Sequence, residues 1–518
     1  MSRSTRALML AALLALFVSL ASAQTRDVVY GVPLGPTTLE PTQVIGLTDH
    51  TIVLAIFGSL VFNFDAVTGV VGYYPYLAEE FEQIEPTVWQ VTLREGMTFH
   101  DGSPLNAEAL AFSLNRILDP DFPSGRYLST APIEEVEIVD ELTVRIHTER
   151  PLAALPGRFL RGDGSVVTPN HYQDGPPWDH VDDTAWDPVG AGPFKFVSYD
   201  IDNELVLEVF RDFREPRGYD LPNFDRLIFR FIPEVSTMIA EIMRGEIDIA
   251  TIPPEMVPII EAAPGVRVVA GPDTTRIAFE MNQTAHPAMG DKRVRQAINY
   301  AIDVHGLNEA LTGGDGVVIP TLVNPPNDHP GLDPYPYDPE RARELLEEAG
   351  WADGFTISID WSSPPDTGIV AEAMVPYLEA VGIQIDSVNS LDYTSVFVPR
   401  WAEGTLAAIY GYGHGGVEMF AEMDLWTVHP DRTTNSTNWE GPEADRFMEL
   451  YAELESAATR DEQLRLGYEL QELVYEEALS IVFWQMPRYV AVSDRVEFYR
   501  PYPGLHNEDL VTIRLVEE

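Results

Sequence analysis

The stretch that decides the fold runs from Leu93 to Pro120: LREGMTFHDGSPLNAEALAFSLNRILDP. Just ahead of it, Trp89, Val91 and Leu93 alternate with polar neighbours. A period of two marks a half-buried strand. Asp101-Gly102 then reads as a tight turn, because glycine supplies backbone freedom and aspartate bonds the backbone just after it. Ser103-Pro104 offers a capping hydroxyl and a proline preset for a first helical turn. Leu110, Leu114 and Ile117 follow at helical spacing. Strand, turn and amphipathic helix in such close order argue for α/β layers rather than a bundle or an all-β sandwich.

The same mixture continues outward. Alternation recurs at Leu142, Val144 and Ile146, at Leu205, Leu207 and Val209, and at Leu227, Phe229 and Phe231. Asp338-Pro339 is a helix start, Ala342, Leu345, Leu346 and Ala349 form its stripe, and Gly350 fits its stop. Val294, Ala297, Ile298 and Ala301 make a second stripe. Thr459-Arg460-Asp461-Glu462 is a capping box ahead of Leu466, Leu470, Leu473 and Val474. Ser236 to Gly245 is a short helix, followed by a strand at Glu246–Ala250. Seven prolines between Pro320 and Pro339 make either a surface loop or a stiff wall of a cleft. No repeat at solenoid or propeller spacing is present. A chain of 518 residues suggests roughly three domain-sized units.

Composition excludes several functions. Lys+Arg number 33 against Asp+Glu 82, a formal charge of −49, and lysine occurs only at Lys195 and Lys292. A basic nucleic-acid face is excluded by this balance, and anionic membranes would repel it. Cysteine is absent, so disulfides, thiolate metal sites and cysteine nucleophiles are impossible. At 45% hydrophobic and 10% aromatic, the chain can build large cores. Met1–Ala23 has two early arginines, an apolar run from Ala7 to Leu20, and Ala21-Ser22-Ala23 before Gln24. That is the pattern of a cleavable signal peptide, and the run is short for a membrane span. With no cysteine behind it to carry lipid, the expected product is a soluble periplasmic protein. Loss of Arg3 and Arg6 would take the charge from −49 to −51. Such acidity fits either adaptation to high salt or an ordinary acidic protein from an arginine-biased genome.

Five ordered segments resemble the bacterial extracellular solute-binding proteins of family five, the dipeptide-, oligopeptide- and nickel-binding components of ABC importers. They are Leu93–Pro120, Gly190-Ala191-Gly192-Pro193-Phe194, Arg244-Gly245-Glu246-Ile247-Asp248, the helix DKRVRQAINYAID at Asp291–Asp303, and Tyr337–Trp351. Turns, caps and buried stripes account for these residues, so they identify a fold rather than a site. The resemblance implies an α/β, two-lobed periplasmic binding protein fold (class II) with a ligand cleft between lobes. By that analogy lobe I is 24–271 plus 483–518, with an extra subdomain at 61–188, and lobe II is 272–482. A hinge is expected near Gly271-Pro272 and Ile481–Trp484. The implied role is solute capture without catalysis, by a monomer that delivers to the permease subunits of an ABC importer.

Catalytic signatures are missing. Neither lysine sits in S-x-x-K, no Gly-Lys forms a P-loop, and HExxH is absent. The 11 histidines include no i, i+4 pair, so neither a metal nor any other cofactor is expected. Gly411-Tyr412-Gly413-His414-Gly415-Gly416 satisfies GxGxxG, but Pro430 precedes the acid at Asp431 and no second strand intervenes. A glycine loop that lets backbone approach a ligand is the better reading. The rival class is a secreted glycosidase with paired carboxylates, but among 82 acids the mere presence of a pair carries no weight.

In peptide-binding members of the family, an aspartate after a Gly-Trp holds the ligand's α-ammonium. The aligned stretch Tyr410–Glu418 has no aspartate there; Glu418 is the nearest acid and His414 lies in the gap. A buried ammonium needs a charged partner. Either Glu418 substitutes, or the ligand lacks that group and is an oligosaccharide or another small solute. Aromatic faces suit both sugars and peptides, so the candidates are Tyr410 and Tyr412 beside the glycine loop, Trp426, and Trp484 at the hinge return. Thr48 is added as a lobe I hydrogen-bond donor. On this reading, Trp484→Ala and Tyr412→Ala weaken binding and leave the fold intact.

Overall fold

The computed structural model describes residues 26–517 apart from 37, 45–46, 69, 120–131, 161–163, 173–187, 326, 363–364, 415–424, 431–436, 458 and 502–507. The expected signal peptide lies outside the described residues. After β1 (Asp27–Val32) and α1 (Leu47–Phe57), the chain builds a unit of its own. It comprises a hairpin of β2 (Val61–Asp65) with β3 (Val70–Pro75), and a four-stranded antiparallel sheet. That sheet runs β4 (Ala78–Glu85), β5 (Val88–Leu93), β7 (Thr143–Thr148), β6 (Ile133–Ile138). Helix α2 (Ala107–Leu118) covers it, and Val91, Leu93, Leu110, Leu114, Ile117, Val144 and Ile146 share one core.

The helix starts later than the sequence suggests. Asn106 is its cap, its side-chain oxygen accepting from the Ala109 amide at 3.0 Å. Ser103 is engaged instead by Asp101, whose carboxylate accepts from the Ser103 amide at 2.8 Å and from its hydroxyl at 2.6 Å. A carboxylate is the stronger acceptor, so the serine stays in the turn.

The chain then enters a large sheet through β8 (Phe194–Asp200), β9 (Glu204–Val209), β10 (Arg226–Phe231), α3 (Val235–Arg244) and β11 (Ile249–Ile252). Gly245 ends α3 at φ 72°, a left-handed cap that favours glycine. Asp248, the last residue of that marker, is fully buried. Its carboxylate accepts from the Val29 amide at 3.0 Å and from Arg495 at 2.9 Å.

The long β12 (Val266–Met281) leads to the second half of the molecule. There follow α4 (Lys292–Ala301), α5 (Val304–Thr312), β13 (Val317–Val318) and α6 (Pro339–Glu348). Next come β14 (Phe355–Trp361), α7 (Pro365–Ala380), β15 (Ile383–Ser390) and β16 (Ile409–His414). Helices α8 (Pro442–Ser456) and α9 (Arg460–Glu476) precede the return along β17 (Ser480–Ser493), and β18 (Val496–Phe498) pairs with β19 (Arg514–Leu515) at the end. The expected caps are present: Asp338 accepts from the Arg341 amide and Thr459 from the Glu462 amide. Arg295 of α4 is buried and bonds Glu477, so this marker helix also serves the core.

The large sheet has the order β15-β14-β16-β12-β17-β11-β1-β10-β9-β8, with β13 beside β17. Among the described strands, only β12 and β17 belong to both halves. Val266–Pro272 pairs with Ser493–Pro487, and Arg276–Glu280 pairs with Gln485–Ser480. Register shifts interrupt the ladder between Pro272 and Arg276 and again between Arg276 and Ala278. In lobe I, cores form between β1, β9, β10 and α1, and between α3, β11 and β12. In lobe II, Ile277, Phe279 and Met281 pack under α4, α6 and α7, while Ala278 on the opposite face packs under α8 and α9. Phe483 and Trp484, expected to begin the return to lobe I, lie in the α4–α6–α7 core.

Candidate functional site

Strand register locates the cleft. β11 runs antiparallel to β17 and its last residue, Ile252, faces Tyr489, two residues beyond Pro487. β1 and β10 run parallel to β11 in the same lobe, so their C-terminal ends point the same way. In lobe II, β16 runs antiparallel to β12 and its last residue, His414, faces Arg276. β14 and β15 run parallel to β16. Both lobes therefore turn the C-terminal ends of their parallel strands toward one crossing. Open α/β sheets bind ligands at those ends.

On the lobe I side of the crossing stands a buried polar network. The Arg488 guanidinium pairs with Glu508 at 2.7 Å, both side chains being almost fully buried. Tyr499 donates to the same carboxylate at 3.1 Å, and the Tyr30 and Tyr499 hydroxyls meet at 3.1 Å. Burial, reinforced by the Glu508 charge, pushes the Tyr30 phenol up to about 12. Gly271 lies against Pro501: a Cβ there would sit 2.6 Å from the proline ring. The C-terminal segment thus buttresses both crossing strands.

On the lobe II side, Tyr410 and Tyr412 are buried in an aromatic cluster with Phe397 and Trp401. The Tyr412 and Trp401 rings are 4.7 Å apart. Burial, then the neighbouring Glu280 carboxylate, hold the Tyr410 phenol well above its ordinary value. Gly411 is required by packing, since a Cβ would lie 2.3 Å from the Phe279 ring.

The sequence-based candidates divide accordingly. Tyr410 and Tyr412 come together, but as a packed cluster rather than two exposed faces. Trp484 is fully buried; it packs edge-on against Phe483 at 5.4 Å and its indole N–H donates to Met486 Sδ at 3.1 Å. It is a core residue because β17 still pairs with lobe II strands there, Val318 and, one residue on, Arg276. Thr48 is half-buried at the start of α1. His414 ends β16 and Trp426 begins a short 3-10 turn, but their side chains, like all of Glu418, lie outside the described residues.

Sequence reasoning missed the buried charges at the crossing: Arg276, Glu280, Arg488 and Glu508. The signal was available at the end of β12 and just past it, where Arg276, Glu280 and Asn282 alternate with Ile277, Phe279 and Met281. The histidine of the FHDG marker was also passed over. His100 Nδ1 accepts from the Gly190 amide at 3.3 Å, which leaves the proton on Nε2, 3.0 Å from the Gly192 carbonyl. Two marker segments are thereby clamped by one neutral imidazole, whose pKa burial lowers to about 4.

A polar depression of about 560 Å³ lies elsewhere, lined by Asn282, Thr356, Ser358, Asp360, Asn389 and Arg400 among others. It runs along β14 from Thr356 to Asp360, beside Asn389 near the end of β15 and the segment leading into β16. Its central carboxylate, Asp360, is engaged by Arg400, Asn389 and the Ala407 amide. Among the described residues no group of three His, Cys, Asp or Glu is placed to hold a metal ion, and no helix is long and apolar enough to cross a membrane.

Comparison with known proteins agrees with this architecture. The chain is 30% identical to the glutathione-binding protein GsiB of Pectobacterium atrosepticum over 341 residues, 65% of this chain and 64% of that protein's length. It is 27% identical to GsiB of Salmonella typhi over 91% of each. The fold matches the ABC transporter substrate-binding protein CtaP of Listeria monocytogenes (TM-score 0.83, 21% identity, 95% and 99% covered). It also matches the periplasmic binding protein DppA of Helicobacter pylori in complex with the peptide STSA (TM-score 0.77, 20% identity, 95% and 98% covered). The family model "Bacterial extracellular solute-binding proteins, family 5 Middle" matches residues 72–430. With that match running from the subdomain hairpin deep into lobe II, the chain belongs to the bacterial extracellular solute-binding proteins of family 5, a family that binds solutes rather than transforming them.

Proposed function

We propose that this chain captures a peptide-like solute between its lobes, in the periplasm, and delivers it to the permease of an ABC importer. The observation that carries the reading is the strand register: two sets of parallel strands end at one crossing that, among the described strands, only β12 and β17 span. The lobes pivot about Pro272–Arg276 and Gln485–Pro487, where the ladder is irregular and a hinge needs to break the fewest contacts. Lobe I accordingly ends near Gly271 and resumes near Arg488. The names of the GsiB and DppA relatives support a ligand with peptide bonds.

Solute contacts are assigned to Thr48 in lobe I, and to His414, Glu418 and Trp426 around the loop after β16. Tyr410 and Tyr412 are assigned to the packed aromatic cluster with Phe397 and Trp401 rather than to the solute. The stretch Tyr410–Glu418 carries no aspartate for an α-ammonium, so Glu418 must meet it or the ligand must lack it. The Met1–Ala23 pattern supports export and cleavage before Gln24, the absence of cysteine supports a product without lipid, and the proposed unit is a monomer.

Mass spectrometry of solute released on denaturing the purified protein tests the reading. Co-purified short peptides or glutathione support it, and glycans would replace it with the oligosaccharide alternative. Calorimetry with free and N-acetylated peptides then decides the role of Glu418: equal affinities mean the ammonium is not recognised. Turnover of any bound solute would overturn the binding reading altogether.

A further inference from the structure

Away from the two crossing strands, the lobes also touch where the subdomain loop after β7 meets the end of α8. The Arg150 guanidinium pairs with Glu455 at 2.5 Å, and the Ala153 amide donates to the Glu455 carbonyl at 3.1 Å. Glu455 is misplaced by the standards of its own helix. It lies in the last turn of α8, where the backbone carbonyls give the end a negative character, and that turn holds no basic residue. Glu453 adds another acid there. A carboxylate in this position is disfavoured, and the last carbonyls of a helix lack partners of their own. Both defects are met from the other lobe: Arg150 neutralises the charge and Ala153 satisfies the carbonyl.

The loop that supplies them is held rigidly. The Thr148 hydroxyl donates to the Arg150 carbonyl at 2.7 Å, and the Trp89 indole donates to the Leu152 carbonyl at 3.0 Å. The contact also lies on the cleft side of lobe II. α9 joins β17 through the short turn after Glu476, so it runs back from the start of that strand and brings its first residues toward the crossing. α8 packs along α9 and ends beside that start.

We propose that Arg150 and Glu455 form a clasp, a non-covalent connection away from the crossing that favours the closed arrangement of the lobes before any solute arrives. Opening separates the pair and returns both groups to water. A short, charge-assisted and partly shielded pair contributes more than an exposed one. It therefore biases the open–closed ratio and sets how much closure remains for the solute to drive. The inference rests on the pivoting reading above.

The absence of native cysteine allows a direct test. Exposed Glu134 on β6 and Ala452 on α8 are replaced, E134C and A452C, and the spin-label distance is measured in the full chain freed of solute. Arg150→Gln and Glu455→Gln should each lower the ratio of short to long distances about tenfold. Combining them should lower it no further, because either change already removes the pair. Unchanged distances in both single variants, with melting temperature lowered, would make the contact merely structural and overturn the clasp. If the parent protein keeps one distance with and without glutathione or a short peptide added to saturation, and the variants do too, the pivoting reading itself fails.

Discussion

Among the described residues the lobes of this protein are joined by strand pairing and by side-chain bonds, the latter including Tyr489 with Asp315 beside the crossing as well as the loop after β7. At the crossing, β12 and β17 carry backbone pairing from one lobe into the other, interrupted between Pro272 and Arg276 and again between Arg276 and Ala278. At the loop after β7, one ion pair and one amide–carbonyl bond make the connection. The crossing is buttressed by groups buried permanently on either side: Trp484 beneath lobe II, and Arg488 with Glu508 beneath lobe I. The Arg150 side chain is nearly half exposed. Permanent burial suits a part that must persist through opening, whereas a half-exposed ion pair can break and re-form in water at small cost. The comparison separates what holds the lobes together from what decides their angle.

The largest expected effect comes from striking the crossing's support. Trp484→Ala empties a fully buried site in the lobe II core, and such truncations cost about 3–5 kcal/mol. Urea denaturation should show that loss; loss of solute affinity at unchanged stability would instead restore Trp484 to the binding surface. The next effect lies in lobe I, in the subdomain that bears Arg150. The folded-state pKa of His100, about 4, is below the ordinary histidine value. The neutral imidazole therefore contributes stability that is fully present above about pH 6.5 and is lost as pH falls toward 4, on the order of 2–3 kcal/mol. His100→Gln should flatten the melting profile in that window, and an unaltered profile would remove the histidine clamp.

A smaller effect is expected at the hinge itself. Gly271→Ala drives a methyl against the Pro501 ring and should cost about 1–3 kcal/mol by overpacking. It should also shift the interlobe distances measured for the clasp; a change in stability alone would show that the Pro501 contact is not part of the pivot. The smallest effect is that of salt. Raising KCl toward 1 M shortens the screening length to about 3 Å, so the closed population of the solute-free protein should fall modestly, and Arg150→Gln should abolish that dependence. A salt response equal in both proteins would assign it to the overall charge of −49 and not to the clasp.

Much of this architecture was legible beforehand where local chemistry decides it. The caps at Asp338 and Thr459, the left-handed Gly245, and the strands at Val88–Leu93 and Arg226–Phe231 follow from residues close in sequence. Trp484 was misjudged because its surroundings come from far along the chain: Gly316 beneath it and the α4–α6–α7 layer beside it. Arg276 and Glu280 were overlooked for the converse reason. A polar residue alternating with Ile277 and Phe279 suggests a solvent face, yet α8 and α9 cover that face of the sheet.

The sequence by itself determined the family, many of the strands and helices, and the absence of cysteine, because caps, turns and hydrophobic periods act within a few residues. Tertiary structure alone decided which aromatics were core, which charges were buried, and where the lobes touch. Burial and electrostatic pairing depend on distance in space. Arg150 and Glu455, 305 positions apart, become partners only after both lobes have folded.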